Sequence, residues 1–188
     1  MRVRLLLHTC CAPCGIFVGE FFEKEGLEVV HLFYNPNIHP FAEYKRRWET
    51  LADYAFQSGR VVLAPFPYNP LEYFTAVWEG GERCVSCYRL RLLQVARWGK
   101  AHGFSLYSTT LTISPYQDVA AIERVGKEVE EDVGITFLGK DLRFCFSESM
   151  RRARELGLYR QNYCGCIFSK WEGVKKRLWK SLTGPGSS

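Results

Sequence analysis

Eight cysteines stand out among the residues of this 188-residue chain that could do chemistry. Seven of them fall into three tight groups: Cys10-Cys11-x-x-Cys14, Cys84-x-x-Cys87 and Cys164-x-Cys166. We expect a cytosolic protein, because the apolar run near the N-terminus is too short for a signal peptide. Disulfides are rare in the cytosol, so dense cysteines there point to metal binding or redox chemistry. We therefore expect the grouped thiols to build a metal or redox site. The eighth, Cys145, stands alone and is expected to be a small buried residue.

The spacing of the thiols bears on which metal they would bind. Four thiolates suit either a tetrahedral zinc ion or an iron–sulfur cluster. A structural zinc site commonly uses two separated Cys-x-x-Cys units, and Cys84-x-x-Cys87 is one such unit. The adjacent pair Cys10-Cys11 is unusual for zinc because neighbouring side chains diverge, whereas a cubane accepts ligands at different corners. Spacing favours iron–sulfur and leaves zinc and a metal-free thiol site open.

The elements that must position these cysteines alternate between β and α. Strands are predicted at 3–9, 27–34, 61–65, 104–110 and 135–139. Helices are predicted at 16–24, 44–58, 71–78 and 85–101, after Ser114-Pro115, and near 148–156 and 167–182. The alternation predicts an α/β fold: a mostly parallel sheet with helices on both faces and a helical C-terminal extension.

Ligand sites in such sheets lie at the carboxyl ends of the strands. Cys10 directly follows the first strand, and Cys84 and Cys87 open a long helix whose positive dipole end favours thiolates. Neither a Gly-x-Gly-x-x-Gly nor a Walker loop follows the first strand, so both common nucleotide fingerprints are missing. We expect this loop to bind a soft metal where related folds bind phosphate.

Length and composition fit one compact domain, 1–182, with a short flexible tail, 183–188. Hydrophobic residues make up 47% of the chain, which is enough for a core without disulfides. No apolar run reaches the length of about 18 residues that a membrane span needs. The three leucines near the N-terminus are too few for a signal peptide, so we expect a cytoplasmic protein without a membrane partner.

The C-terminal quarter is basic, although the formal net charge of the chain is only +5. Between residues 143 and 180, ten Lys or Arg face three acids, with aromatic residues interleaved. Such a surface could contact a phosphate backbone and stack on bases, or it could be an ordinary solvated helix surface. Charge alone does not decide between the two.

Several segments, in order along the chain, form a specific combination. They read His8-Thr9-Cys10-Cys11-Ala12-Pro13-Cys14, Asn35-Pro36-Asn37-Ile38, Glu43-Tyr44, Arg83-Cys84-Val85-Ser86-Cys87-Tyr88-Arg89-Leu90, Thr109-Thr110-Leu111 with Ser114-Pro115-Tyr116, and Tyr159-Arg160-Gln161-Asn162-Tyr163-Cys164-Gly165-Cys166. This combination resembles the epoxyqueuosine reductase QueH family from residue 8 to about residue 168. One mild departure is Asp141-Leu142-Arg143, where the family usually has Asp-Phe-Arg.

The resemblance implies a Rossmann-like, nucleotide-hydrolase-like fold and an iron–sulfur oxidoreductase. Its reaction would be the reduction and deoxygenation of epoxyqueuosine in tRNA to queuosine, the last step of queuosine biosynthesis. By the same resemblance, a 4Fe-4S cluster is bound by four cysteines: Cys10, Cys11, Cys84 and Cys87. Cys164 and Cys166 are implied as a redox-active pair that forms a disulfide or, alone or together with Cys14, as ligands of an additional iron ion.

The chemistry of that reaction independently requires a second centre. Converting an epoxide to an alkene takes two electrons and two protons and releases water, whereas a 4Fe-4S cluster normally cycles by one electron. A Cys-x-Cys disulfide is strained and readily reduced, and a second iron would also act as a Lewis acid on the epoxide oxygen. The sequence leaves these two alternatives open and identifies no electron donor.

Further residues are candidates for the site. Those expected to stack on and hydrogen-bond the flipped base, or else to pack around the Cys-Gly-Cys turn, are Tyr159, Arg160, Gln161 and Tyr163. Asn35 and Asn37 either line the crevice or form the turn after the second strand. Asp141, at the end of the fifth strand, either supplies a proton or metal ligand or caps the strand end. The alternative function is a zinc-stabilised RNA-binding module without redox activity.

Overall fold

The computed structural model describes residues 2–183 and arranges them as alternating strands and helices. The strands are β1 Arg4–His8, β2 Glu28–Leu32, β3 Val61–Leu63, β4 Leu106–Thr109 and β5 Thr136–Phe137. The helices are α1 Ala12–Lys24, α2 Phe41–Ser58, α3 Pro70–Glu79, α4 Arg83–Ala101, α5 Val119–Val133, α6 Phe146–Glu155 and α7 Ile167–Thr183. Single turns of 3-10 helix lie at Thr110–Ile113 and Arg143–Cys145.

The five strands form one sheet in the order β3-β2-β1-β4-β5. Every neighbouring pair is parallel. This confirms the predicted α/β fold with a parallel sheet, although each strand is shorter than predicted. The strand order reverses between β1 and β4, and such a switch point opens a crevice at the carboxyl ends of the strands.

Alternate side chains of β1 pack on opposite faces of the sheet. Leu6 joins a core cluster with α4 and α5, whereas Leu5 and Leu7 pack with α1 on the other face. All three leucines are fully buried. α2 contributes Leu51 to a further cluster with Phe33, and Tyr44 and Trp48 of the same helix pack against it. Helices thus cover both faces, as predicted.

The first helix begins earlier than predicted, at Ala12 instead of residue 16. Pro13 lies in its first turn, where proline is tolerated because the N–H groups there have no partner in the helix. Cys11 precedes the helix in an extended conformation. Cys14 is consequently held on a helix beside the loop, rather than in the loop itself.

The prediction that Ser114-Pro115 starts a helix was wrong. These residues form a turn, in which Ser114 Oγ accepts from the Tyr116 amide at 3.3 Å. The helix begins at Val119, because Asp118 caps it by accepting the Ala121 amide at 3.0 Å. The delay leaves Gln117 in the loop, where its side chain reaches the cysteine site described below.

The C-terminal extension is helical as predicted, and α7 runs to Thr183. It therefore includes one residue of the predicted tail, and the rest of that tail, 184–188, lies outside the described residues. Within residues 2–183, no helix combines the length and apolar character that crossing a bilayer requires.

Candidate metal and redox site

Three cysteines converge where β1 ends. The sulfur atoms of Cys10, Cys11 and Cys14 all lie within 4.8 Å of one another. Cys11 and Cys14 are buried and Cys10 is partly exposed. The Thr110 hydroxyl, from the segment after β4, lies 3.5 Å from the Cys10 sulfur and 3.3 Å from its amide nitrogen. The trio thus occupies the switch point between β1 and β4.

Buried hydrogen bonds fix the backbone that presents this trio. The His8 ring bonds the Thr109 hydroxyl at 2.9 Å through Nδ1 and the Tyr34 carbonyl at 3.1 Å through Nε2. Thr9 Oγ1 lies 2.9 Å from His31 Nδ1. Burial, assisted by the Arg91 charge, lowers the pKa of His8 to about 4, so its imidazole is neutral near pH 7. His8 is a satisfied core histidine that links three strand ends.

The three sulfurs differ in how readily they ionise. The Cys10 and Cys11 sulfurs are 3.8 Å apart. Hydrogen bonds from Cys11 and Cys14 hold the pKa of Cys10 well below its ordinary value. The hydrogen bond to Cys10 raises the pKa of Cys11 to about 12, and bonds to Cys10 and Cys11 raise that of Cys14. One thiolate is favoured, and a second or third needs a bound cation to stabilise it.

The second cysteine pair lies in the first turns of α4. Cys84 is exposed, beside the Arg83 guanidinium, whereas Cys87 is buried. Burial raises the pKa of Cys87 to about 12. Neither thiol belongs to the trio at the end of β1. Cys87 instead packs with Cys166 and Tyr73 in a small buried cluster.

The third pair lies on the loop that joins α6 to α7. Cys164 is exposed and Cys166 is buried, and neither forms a disulfide. Gln117 Nε2 donates to the Cys164 sulfur at 3.3 Å, and the Ser169 amide donates to the Cys166 sulfur at 3.3 Å. Electrostatic interactions link Cys164 to Cys10 and Cys87. The loop therefore lies between the trio and the α4 pair, with Cys166 packed against Cys87 and Cys164 close enough to Cys10 and Cys87 to interact with their charge; we call this region the crevice.

Arg47 of α2 holds this loop in place. It is only 1% exposed, and its Nε donates to Glu43 Oε1 at 2.7 Å. Its two terminal nitrogens donate to the carbonyls of Cys164 and Tyr163 at 3.0 and 3.2 Å. The guanidinium thus ties two backbone carbonyls of the loop to a carboxylate on α2. We regard Arg47 as the residue that fixes the Cys164 backbone.

Gly165 fits the same clamp because it lacks a side chain. Its φ is +140°, and an added Cβ would lie 3.0 Å from Ile38 Cγ1 and 3.4 Å from the terminal nitrogen Nη1 of Arg47. Its carbonyl accepts the His39 amide at 2.9 Å. The close approach of the loop to the segment 37–39 therefore requires glycine between the two cysteines.

A second buried arginine, Arg91 of α4, lies on the thiol side of the crevice. It is also 1% exposed. Its Nε donates to the Cys87 carbonyl at 3.2 Å, while its buried terminal nitrogen Nη2 has no partner among the described residues. Cys87, Cys164 and Cys10 are the sulfur groups that interact with its charge.

The predicted base-binding residues lie around this crevice with different partners. Gln161 Nε2 donates to the Cys11 sulfur at 3.0 Å. The hydroxyls of Tyr159 and Tyr163 are engaged inside the protein, with Glu43 Oε2 at 2.7 Å and the His39 carbonyl at 2.5 Å. Both tyrosines thus hold the loop. Arg160 is exposed and, with Tyr159, lines a groove of about 640 Å³ between α2 and residues 156–160.

Unpaired acceptors mark the buried part of the site. Asn35 and Asn37 are each 1% exposed. Asn35 Nδ2 donates to the Thr9 carbonyl at 3.0 Å, but Oδ1 of both residues and Oε1 of Gln161 have no partner among the described residues. Buried polar atoms are rarely left unpaired, so each of these oxygens is free to accept a donor that the described residues do not supply.

Asp141 lies after β5 and is well exposed. Its carboxylate accepts the Arg143 amide at 3.1 Å and the Arg143 guanidinium at 2.9 Å. The Arg143 contacts lower the pKa of this carboxyl below its ordinary value. The carboxylate is therefore ionised and makes a local contact just after the strand end. Because an ionised carboxylate carries no proton, this arrangement does not favour a role as proton donor.

The donor set of the crevice fits a thiophilic metal group. Soft thiolates are the ligands of zinc and of iron–sulfur clusters. Three sulfurs already lie within 4.8 Å of one another, and two buried guanidiniums interact with them. Three clustered sulfurs at the switch point of a parallel sheet, beside two buried guanidiniums, define a cysteine-rich α/β protein with a site able to bind a metal.

Comparison with known proteins gives the family. The family model described as Epoxyqueuosine reductase QueH matches residues 5–172. A protein of that name from Dehalococcoides mccartyi is 37% identical over 181 residues, covering 94% of this chain and 97% of the relative. Another from Thermotoga maritima is 36% identical over 182 residues, covering 92% and 93%. The chain belongs to the epoxyqueuosine reductase QueH family.

A solved structure supports the fold alone. A protein described as a predicted subunit of a tRNA methyltransferase from Methanocaldococcus jannaschii superposes with a TM-score of 0.52 at 15% sequence identity. The match covers 80% of this chain and 76% of that one. At this identity, the similarity concerns the α/β architecture.

Proposed function

We propose that this protein reduces epoxyqueuosine in tRNA to queuosine. The observation that carries the proposal is the match to epoxyqueuosine reductases over residues 5–172, in a chain that gathers three cysteine sulfurs at the end of its first strand. Two electrons and two protons convert the epoxide to an alkene, and the epoxide oxygen leaves as water. We place the reaction in the cytoplasm, where thiols are kept reduced. The alternative of a redox-inactive zinc module is not favoured by membership of a reductase family.

For the cofactor, we propose a 4Fe-4S cluster bound by Cys10, Cys11, Cys84 and Cys87. The group would supply electrons one at a time. Cys10 and Cys11 are already adjacent at the strand end, and Cys84 and Cys87 occupy the first turns of α4, where the helix dipole favours thiolates. The position of Cys14 beside the pair makes it the competing ligand, which a variant can test.

For the second electron, we propose the pair Cys164 and Cys166, acting as a dithiol that forms a disulfide or as ligands of an additional iron ion. Cys164 is exposed, and Cys166, two residues further along the loop, is buried. Gln117 orients the Cys164 sulfur, and Arg47 fixes its backbone. These contacts would keep the outer thiol facing both the substrate and the trio.

For the tRNA, we propose that the exposed basic surface of α7 binds the phosphate backbone near the crevice. The helix begins directly after Cys166 and carries five Lys or Arg against one acid: Lys170, Lys175, Lys176, Arg177 and Lys180 against Glu172. The Trp171 side chain is 57% exposed on the same helix. Cations beside an exposed aromatic ring suit a nucleic-acid surface.

The experiment that tests the function is anaerobic purification followed by assay. Iron, sulfide and zinc are quantified, the protein is reduced, and epoxyqueuosine-containing tRNA is added. Mass spectrometry of the nucleosides should show loss of one oxygen from the base. Zinc without sulfide, together with an unchanged base, would contradict the proposal.

Ligand assignment is tested by serine variants of Cys14 and Cys84. If the proposed set is correct, Cys84→Ser loses the cluster absorbance and iron, whereas Cys14→Ser retains both. The opposite result would place Cys14 in the cluster. Cys145→Ser is the matched control, since Cys145 packs in the core under α1.

Docking of the tRNA is tested by charge reversal on α7. Lys176→Glu should raise KM for tRNA on the order of tenfold and leave kcat unchanged, because phosphate contacts contribute mainly to binding. Arg97→Glu, an exposed position near the other end of α4, is the matched control. Equal effects of the two variants would mean that general charge, rather than α7, attracts the tRNA.

A further inference from the structure

We propose that the Arg91 guanidinium is the built-in counter-charge of the metal–thiolate group in the crevice and raises the reduction potential of that group. The inference rests on the proposed function in one respect, namely that a cluster is bound by the crevice cysteines. It goes beyond that function because it assigns a task to a residue that is not a ligand. In this role Arg91 acts on the cluster through charge, not through bonds to the reacting atoms.

The first observation is that a positive charge is buried without a carboxylate. Arg91 is 1% exposed, and among residues 2–183 no Asp or Glu oxygen lies within 4.0 Å of its guanidinium. Its Nε donates to the Cys87 carbonyl at 3.2 Å, and its Nη2 is buried without a partner. An isolated buried charge is costly, so such groups are normally paired. The anion that Arg91 requires is therefore not supplied by a carboxylate of the protein.

The second observation is which groups surround this charge. The interactions that raise the pKa of Arg91 come, against the opposing effect of burial, first from Cys87 and then from Cys164 and Cys10. These thiols belong to all three cysteine groups. The charge therefore lies where the anion would be a set of thiolates gathered around a metal group.

The third observation is the matched arginine on the other side. Arg47 is equally buried, but it bonds Glu43 at 2.7 Å as well as two loop carbonyls. The buried charge of Arg47 is thus paired with a carboxylate, whereas that of Arg91 has no carboxylate partner among the described residues. Both arginines interact with thiols of the crevice. They differ in that Arg47 is paired with a carboxylate, so the charge of Arg91 is the one that remains available to a bound anionic group.

The consequence for redox chemistry follows from charge. A cluster with thiolate ligands is anionic, and each added electron makes it more so. A fixed cation nearby stabilises the reduced form more than the oxidised form and raises the potential. Without it, the cluster would be harder to reduce even with every ligand in place.

The test is a redox titration of the reconstituted holoprotein, followed by its visible absorbance and by electron paramagnetic resonance. Arg91→Met removes the charge and keeps a side chain of similar length, whereas Arg91→Lys keeps the charge. We expect the midpoint potential to shift to lower values in Arg91→Met and to remain near the wild-type value in Arg91→Lys. An unchanged potential in Arg91→Met at full iron content would overturn the inference while leaving the proposed reductase function intact.

Thermal unfolding of the metal-free protein is a second measurement, which is needed if Arg91→Met binds little iron. After chelation of the metal, Arg91→Met should unfold at the same or a higher temperature than the wild-type chain, since an uncompensated buried charge has been removed. Reduced iron uptake with that unchanged or increased stability supports the inference. A metal-free Arg91→Met that is as unstable as Arg47→Met would make Arg91 a structural residue and overturn it. Wild-type protein that binds no cluster would instead refute the proposed function.

Discussion

Arg47 lies on the loop side of the crevice and Arg91 on the thiol side. The two arginines are equally buried, but they have different hydrogen-bonding and charged partners. Arg47 has a carboxylate and two carbonyls, and the loop with Cys164 is thereby complete without any ligand. Among the described residues, Arg91 has one carbonyl and the Tyr88 ring at 5.9 Å, and its terminal nitrogen Nη2 is unpaired. The first region is built by the protein alone, whereas the second is finished only when an anionic group is bound.

The difference explains how one crevice can be both rigid and reactive. The side that must hold a thiol at a defined place is stabilised by hydrogen bonds inside the chain. The side that must bind a metal group retains an uncompensated cation and several thiols whose pKa values are raised. Stability and function are therefore allocated to different residues, and variants can separate them.

The largest effect is expected at Arg47. Arg47→Met leaves Glu43 poorly solvated and two loop carbonyls without a donor, so the free energy of unfolding should fall by about 3–5 kcal/mol. Denaturant unfolding of the metal-free chain measures this loss. Arg46→Met, the exposed neighbour on the same helix, loses only a cation–π contact with the Tyr159 ring at 3.9 Å and should cost about 0.5–1 kcal/mol. A loss below about 1 kcal/mol for Arg47→Met would remove the basis of the comparison.

The pH dependence of the free energy of unfolding gives a second test of the unpaired charge on Arg91. The pKa values of His8 and His31 are both lowered to about 4, mainly by burial, so both are neutral in the folded protein. The unfolded chain binds protons more readily below pH of about 6.5. Stability is therefore fully present above that value and falls by about 1.4 kcal/mol per histidine for each pH unit as pH decreases toward 4.

The two histidines distinguish the two sources of charge. Arg91 contributes to the lowered pKa of His8, whereas Arg60 contributes to that of His31. Arg91→Met should therefore weaken the pH dependence by raising the pKa of His8 alone. Unfolding curves between pH 7 and 4.5 measure the slope, and His31→Gln serves as the reference for one histidine removed. An unchanged slope in Arg91→Met would mean that the guanidinium charge is already neutralised.

A smaller effect is expected at Gly165, which the Arg47 clamp places in close contact with Ile38. Gly165→Ala should lower the free energy of unfolding by about 1–3 kcal/mol, because φ is +140° and the added Cβ meets neighbours on two sides. Gly173→Ala, inside α7, is the control and should be neutral or slightly stabilising. If both alanines are tolerated equally, the loop can move away from Arg47 at little cost.

Much of this arrangement could be predicted from the sequence because it depends on local patterns. The β/α alternation predicts the parallel sheet, and the position of Cys10 after a buried strand predicts a site at the sheet edge. The start of α5 was mispredicted because Ser114 and Asp118 are both favourable capping residues, and the structure shows that Asp118 is the one that caps the helix. Local signals of equal strength do not resolve such a choice.

The two arginines were missed for a different reason. Arg47 lies between Tyr44 and Leu51 on the apolar stripe of α2, and Arg91 lies between Tyr88 and Leu92 on that of α4. A charged residue on a buried helix face is the signal that could have identified both. The loop partners of Arg47 could not have been predicted, because Tyr163 and Cys164 are more than a hundred residues away along the chain.

The smallest effect is expected at an exposed ion pair, which separates the effect of burial from that of pairing. Glu172 pairs with Arg83 at 2.9 Å near the crevice, but the two side chains are 52% and 35% exposed. Glu172→Gln should therefore change the free energy of unfolding by less than about 1 kcal/mol, because water replaces the lost ion pair. Glu43→Gln makes the same chemical change beside Arg47, where Glu43 is only 11% exposed, and should cost clearly more. Denaturant unfolding of the two variants side by side gives the difference. Equal costs would mean that burial does not affect how much an arginine ion pair contributes to the free energy of unfolding. The unpaired charge of Arg91 would then not be distinguished by its burial.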